Sequence, residues 1–367
     1  MKKLLAFFKS EAVLCLSALL ALISMVWVPP SAAYLGYIDL RTLALLFCFM
    51  TVMAGLDGLG VFRLLAGRLL RRTETLRGLA LALVALCFFS SMVITNDVAL
   101  LTFVPFTLLT CTLTGQRQAL VLLVTLETIA ANLGSMLTPI GNPQNLYLFS
   151  RFRLSLGDFL RTLFPYAALS LLLLVLSCRL FPAERLELPS GSDETSSADR
   201  RVALYAALFM LSLLTVFRVL PYPLTAVLTL AIVALMDRNT LKHVDFTLLL
   251  TFTFLFVFIG NLQALPAVST LLRGVVEGRE VLAGVLASQV LSNVPAALLL
   301  SGFTTRPLDL LVGVNLGGLG TLIASMASLI SYKFLVRDRV APGRYLLVFT
   351  LFNLGFLAAL LVLRLIL

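Results

Sequence analysis

The chain has 367 residues, of which 60% are hydrophobic and only 13% charged. Soluble domains carry roughly a quarter charged residues, so the composition excludes a soluble enzyme and points to an all-α polytopic membrane protein. The formal net charge of +10 reads as loop charge that sets topology, with no nucleic-acid partner implied.

The opening "MKKLLAFFKSEAVLCLSALLALISMVWVPP" is followed by no clean cleavage pattern and by many further apolar runs. It is therefore read as a retained first span. Runs near the roughly 20 residues needed to cross a bilayer then predict about nine spans: 11–28, 38–56, 118–150 (interrupted), 159–181, 202–219, 222–236, 246–262, 308–331 and 345–366. Two segments read differently. In 281–304, each side of "SNV" offers about 10 apolar residues, or roughly 16 Å of helix, half of a bilayer core about 30 Å thick. A re-entrant hairpin fits; the alternative is one span kinked at Pro295. The arms of 78–114, around "TND", are about 17 residues each and could be two full spans. A hairpin is assigned there because its repeat partner needs one.

The polar stretch "PAERLELPSGSDETSSADRR", 182–201, reads as a cytoplasmic linker. It separates a first half, 1–181, from a second, 202–367. Four matches link the halves in the same order. "YIDLRTLALLF" pairs with "HVDFTLLLTF", setting Asp39 opposite Asp245, and "FCFMTVMAGLDGL" pairs with "FTFLFVFIGNLQAL", setting Gly55 opposite Gly260. "ITNDVALLTF" pairs with "LSNVPAALLL", and "ANLGSMLTPIGNPQN" with "VNLGGLGTLIASMAS", setting Asn132 opposite Asn315. A duplicated transporter half follows. With the N-terminus cytoplasmic, most lysines and arginines lie inside, as the positive-inside rule asks. The two repeats then enter from opposite sides, giving inverted topology. The fit is imperfect, because "RFRLSLGDFLR" leaves three arginines outside.

Backbone freed inside hydrocarbon survives only where it lines a cavity or is buried in protein. The four breaks carry Thr95, Asn96, Asp97, Asn132, Ser135, Thr138, Asn142 and Asn145 in the first half. In the second they carry Ser292, Asn293, Asn315, Gly317, Gly318, Thr321 and Ser325. Freed carbonyls and side-chain oxygens suit a hard cation, and half-helix N-termini suit an anion. Asn and Ser residues in membrane bundles also serve as plain interhelical hydrogen bonds. Asp97 and Glu127 lie deep in apolar runs, where carboxylates are costly and usually functional. Both are coupling candidates, Asp97 the better because it adjoins the tip; the alternative for Glu127 is a protonated or polar-paired structural group. Asp39 and Asp57 read as interfacial, and His243 as a solvated loop residue. The five cysteines form no CxxC pair, so neither a thiolate metal site nor a disulfide framework is indicated. No HExxH or GxSxG supports an intramembrane enzyme.

Together "TNDVALLTFVPF", "ANLGSMLTPIGNPQN" and "SNVPAALLL" resemble the ion transporter superfamily. It includes citrate transporters, divalent anion:sodium symporters, arsenite-efflux permeases and sodium/proton antiporters. The resemblance implies a homodimeric elevator-type transporter in the inner (plasma) membrane with two re-entrant hairpins. In the anion symporters a Ser-Asn-Thr tip in each hairpin binds sodium and carboxylate. Here the tips read Thr95-Asn96-Asp97 and Ser292-Asn293-Val294, so the asparagines carry over and the final threonine does not. "GNPQN" resembles the antiporter-like "GDPPN", with Asn142 replacing the acid. The expected function is secondary-active transport of a small anion, citrate-type or dicarboxylate, coupled to sodium or protons, with no other cofactor. Arsenite or inorganic-anion efflux and sodium/proton exchange are the alternatives, and a passive channel a further one.

Overall fold

The computed structural model describes residues 11–62, 64, 73–185 and 200–367. Their regular structure is helical, apart from an isolated bridge between Thr75 and Arg185. The first half contains α1 (Ala12–Ser24), α2 (Ala33–Tyr37), α3 (Leu40–Gly58), α4 (Leu76–Ile94), α5 (Asn96–Leu113), α6 (Leu120–Ser135), α7 (Pro143–Arg151) and α8 (Leu156–Ser177). The second contains α9 (Arg200–Val216), α10 (Tyr222–Met236), α11 (Phe246–Ala264), α12 (Pro266–Val276), α13 (Glu280–Leu291), α14 (Asn293–Ser301), α15 (Pro307–Leu316), α16 (Met326–Arg337) and α17 (Pro342–Ile366). Seven helices among the described residues are long and apolar enough to cross a membrane. Every span expected from the sequence coincides with a helix or an interrupted helix. Most of the expected linker, the first ten residues and much of the first basic loop lie outside the described residues.

Positions matched between the two halves share local structure. Asp39 and Asp245 are both N-caps, accepting from the amides of Thr42 at 3.1 Å and Leu248 at 3.0 Å, which satisfies a donor the helix start leaves free. The helices they start, α3 and α11, run in opposite directions. The Tyr37 ring, just before α3, lies against Gly260 near the end of α11, while Gly55 and Asp57 near the end of α3 share a cavity with Asp245 at the start of α11. The first helix of each half packs on the other half: α1 along α11, and α9 along α3.

Each half also folds back at one residue. Between α4 and α5, Thr95 has φ 72° and ψ 153°; between α13 and α14, Ser292 has φ 75° and ψ 154°. That region is open to glycine and costs other residues about 1–3 kcal/mol, yet the same strain recurs at matched positions. Both hairpins pack against the helix that follows them, α6 and α15 respectively. They open at opposite ends of the bundle. The loop after the first hairpin is tied to the start of α17 by the Arg117–Asp338 pair, and the first turn of α15, which follows the second hairpin, is tied to the end of α17 by Arg364–Asp309 at 2.6 Å. The 25 residues of α17 separate those ends by about 37 Å. The arms of the second hairpin, 12 and 9 residues, are too short to cross, whereas those of the first, 19 and 18, are long enough. The sequence did not anticipate α2 or α12; the latter starts at Pro266, a favoured first helical position, in a run too short and polar to register as a span.

Close helix packing beside the hairpins depends on glycine. A Cβ at Gly134 on α6 would sit 2.0 Å from the Phe88 carbonyl oxygen and 2.7 Å from Ser91 Oγ; at its repeat-mate Gly317 it would sit 2.5 Å from Ser288 Oγ. Backbone cannot give way cheaply, so Gly134→Ala is expected to destabilise the protein by about 3 kcal/mol. Gly36→Ala, where nothing lies within 4 Å, is the control. Thermal unfolding in detergent checks this: equal midpoints for the two variants would contradict the packing argument.

Candidate functional site

Helix α6 ends at Ser135, and the chain runs unwound to Asn142, which caps α7 by accepting from the Asn145 amide at 2.9 Å. In the second half α15 ends at Leu316 and α16 begins at Met326. These two unwound stretches meet the hairpin tips through buried carboxamides. Asn132 Oδ1 accepts from Asn96 Nδ2 and from Ser325 Oγ, both at 3.0 Å. Asn315 Nδ2 donates to Asn145 Oδ1 at 2.7 Å, while its Oδ1 accepts from Asn142 Nδ2 at 3.2 Å. The repeat-mates Asn132 and Asn315 therefore each reach a partner in the opposite half. Asn142 also donates to Ser135 Oγ at 3.1 Å, and Asn145 Nδ2 donates to the carbonyls of Met136 and Thr138. Gly318 lies beside Asn293, where an added Cβ would fall 3.0 Å from Nδ2.

A further bond is duplicated. Thr138 Oγ1 donates to the Met92 carbonyl and Thr321 Oγ1 to the Gln289 carbonyl at 3.2 Å; each acceptor lies three residues before its tip. Thr321 itself is exposed and remains at the edge of the network. Gln289, which the sequence reading passed over, holds the unwound stretch: Nε2 donates to the carbonyls of Gly317 and Leu319, and Oε1 accepts from the Thr321 amide at 2.9 Å. A glutamine three residues before a hairpin tip was the available signal.

The tips share a backbone but not a chemistry. Neither Thr95 nor Ser292 caps the following helix with its side chain. In the first tip the Asn96 amide donates to the Gly141 carbonyl at 3.2 Å, and the Asp97 amide donates to Asn96 Oδ1 at 3.0 Å. In the second, no hydrogen bond to the Asn293 or Val294 amide forms among the described residues. The second tip thus presents open N–H groups at a helix N-terminus, which attract an anion. The first tip carries the Asp97 carboxylate instead.

Thr95, Asp97 and Asn142 open onto a cavity of about 610 Å³. Its polar lining is mainly acidic, with Asp57, Asp97, Asp237 and Asp245 against Arg201 and His243. Arg201 lies 3.8 Å from Asp237, and Asp57 accepts from Thr102 Oγ1 at 3.3 Å. Asp57, read from the sequence as interfacial, lines this cavity from the last turn of α3. His243, expected as a solvated loop residue, is exposed and lines the mouth of the same cavity. Glu127 belongs elsewhere. It is fully buried and accepts from Thr107 on α5, with no hydrogen bond to the asparagine network. Among the described residues no cluster of three or more His, Cys, Asp or Glu could hold a metal ion.

The family model described as "Citrate transporter" matches residues 4–305, a stretch that includes both hairpin tips. The chain belongs to the citrate transporter family. The transporter is 34% identical to the inner membrane protein YbiR of Escherichia coli, over 82% of this chain and 81% of that protein. It is 32% identical to an uncharacterized transporter, MJ0456, of Methanocaldococcus jannaschii, over 85% of each. It is also 35% identical to the silicon efflux transporter LSI3 of rice, over 38% of this chain and 29% of that protein. These relatives and the apolar helices make it a multi-pass membrane transporter.

Proposed function

We propose that the transporter is a secondary-active carrier of a small citrate-type carboxylate coupled to sodium or protons, with the substrate bound between the two hairpin tips. The observation that carries this is the difference between tips of matching backbone: open amides at Asn293 and Val294 in the second, a carboxylate at Asp97 in the first. The anion is assigned to the second tip and the coupling cation to the first, with Asp57 and Asp245 drawing the cation in through the acidic cavity. Thr95, Asn96, Asn132, Ser135, Thr138, Asn142, Asn145, Asn293, Asn315, Gly317, Gly318 and Thr321 form or support the shared site. The two halves, 1–181 and 202–367, would be the inverted repeats of a homodimeric elevator, moving as a rigid body to expose the site to either side. Opposite opening of the hairpins supports that reading.

A second reading has its own support. A cavity with four carboxylates and one guanidinium repels a multivalent anion but not an uncharged hydroxylated acid, and one relative is named for silicon efflux. Flux into proteoliposomes of labelled citrate, succinate and malate, alongside arsenite and silicic acid, distinguishes the two. Sodium and pH gradients are imposed one at a time. Saturable, gradient-driven movement of a carboxylate is expected. Movement of arsenite or silicic acid alone would replace the first reading by the second, and linear, gradient-indifferent flux would sink both.

A further inference from the structure

Two of the three arginines that fit the topology rule badly, Arg151 and Arg153, lie together in space with Arg41 and Arg218. Arg151 ends α7, Arg153 follows it, Arg218 follows α9, and Arg41 lies in the first turn of α3. All four line one open basin of about 600 Å³ with Asp39 as its single acid. This basin shares no lining residue with the acidic cavity. It lies at the opposite end of α3, beside Asp39 rather than Asp57.

Helix capping accounts for only half of the cluster. Arg41 Nη2 donates to the Thr215 carbonyl at 2.9 Å, and Arg218 Nη2 to the Ser150 carbonyl at 3.2 Å. Both acceptors are last-turn carbonyls, which favour a cation. Arg151 and Arg153 have no such partner: no carboxylate pairs with either, and neither donates a hydrogen bond, among the described residues. The chain nevertheless holds Arg153 at φ 51° and Arg218 at φ 63°, a left-handed backbone uncommon outside glycine. Two interior groups of the basin also lack partners, Arg41 Nε and the hydroxyl of Ser150, a residue only 9% exposed. Four guanidinium groups gathered around one acid are an arrangement that an oxyanion completes, since guanidinium forks match carboxylate and phosphate oxygens.

We propose that Arg41, Arg151, Arg153 and Arg218 form a second anion site, separate from the site between the hairpin tips, that binds a multivalent oxyanion. Its ligand presents carboxylate or phosphate oxygens, as a soluble anion or as a lipid headgroup. This assignment rests on the basin alone and not on the substrate proposed above.

The test uses the full chain in nanodiscs of phosphatidylcholine, with citrate and inorganic phosphate as soluble probes measured at equilibrium. A parallel arm counts phosphatidylglycerol molecules retained by the detergent-purified protein, using native mass spectrometry. The informative variant is Arg151→Gln with Arg153→Gln, because neither side chain makes a hydrogen bond or ion pair to a helix end among the described residues. It is expected to weaken binding of one soluble anion by about tenfold or more, or to lose one retained lipid. The arm that responds names the source. Asn96→Ala with Asn293→Ala should leave that binding in place. An Arg151/Arg153 variant unchanged in both arms, or anion binding lost only in the asparagine variant, would overturn the proposal.

Discussion

Asn132→Ala is expected to lower transport by about 100-fold, a loss of the size that a shift of about 1 Å in a positioned group produces. Asn132 is 4% exposed and joins the first tip to the second half through Asn96 and Ser325. Truncation leaves the Asn96 amide and the Ser325 hydroxyl without their acceptor. Each unpaired buried group costs about 1–3 kcal/mol, so unfolding should also come earlier. A stability loss alone would not separate a site residue from a structural one. Asn353→Ala supplies the comparison: Asn353 is also buried, but among the described residues its side chain bonds only to Phe349 within α17. Initial uptake rates normalised to folded protein should fall in the first variant and persist in the second. Equal rates would remove Asn132 from the site.

Asp97→Asn keeps the shape of the first tip and removes its charge. On the proposed division of labour it should uncouple the transporter and leave substrate exchange intact. Each monovalent cation moving down a tenfold gradient supplies about 1.4 kcal/mol, enough for about tenfold accumulation of substrate. The variant should lose that factor for every cation bound at Asp97, while exchange of labelled for unlabelled substrate across the same vesicles continues. Full accumulation in the variant would move the coupling site to Asp57 or Asp245. Loss of exchange as well would mean that Asp97 serves the substrate directly.

Much of this was legible before any coordinates. Hydropathy located the spans because a helix in lipid has little freedom to be anything else. The repeat could be read because Asp39 and Asp245, Asn132 and Asn315, and the two tips keep their order. Clustered asparagines marked the site because polar groups inside an apolar run need a reason. What could not be read was convergence between distant segments. Asp57, Asp237 and Asp245 come from a helix end and a loop that no periodicity joins, and their meeting with Asp97 depends on α3 and α11 running in opposite directions. Glu127, marked by its depth in an apolar run, lies away from the tips, with Thr107 as its hydrogen-bond partner. Two arginines counted as a defect in the topology, Arg151 and Arg153, join Arg41 and Arg218 in one basin in three dimensions.

The central claim is that one site between the tips is exposed to the two sides in turn. In this structure Thr95 lines an open cavity, whereas Ser292 is 2% exposed. The direct measurement is the rate of modification of Thr95→Cys and Ser292→Cys by a hydrophilic thiol reagent. It is made in protein whose five native cysteines have been replaced, with and without substrate and with a sodium or pH gradient in each direction. The account predicts opposed changes: conditions that speed modification at position 292 slow it at position 95. Fast modification of both positions under one condition, with neither responding to substrate or gradient, would describe a continuous pore and contradict it.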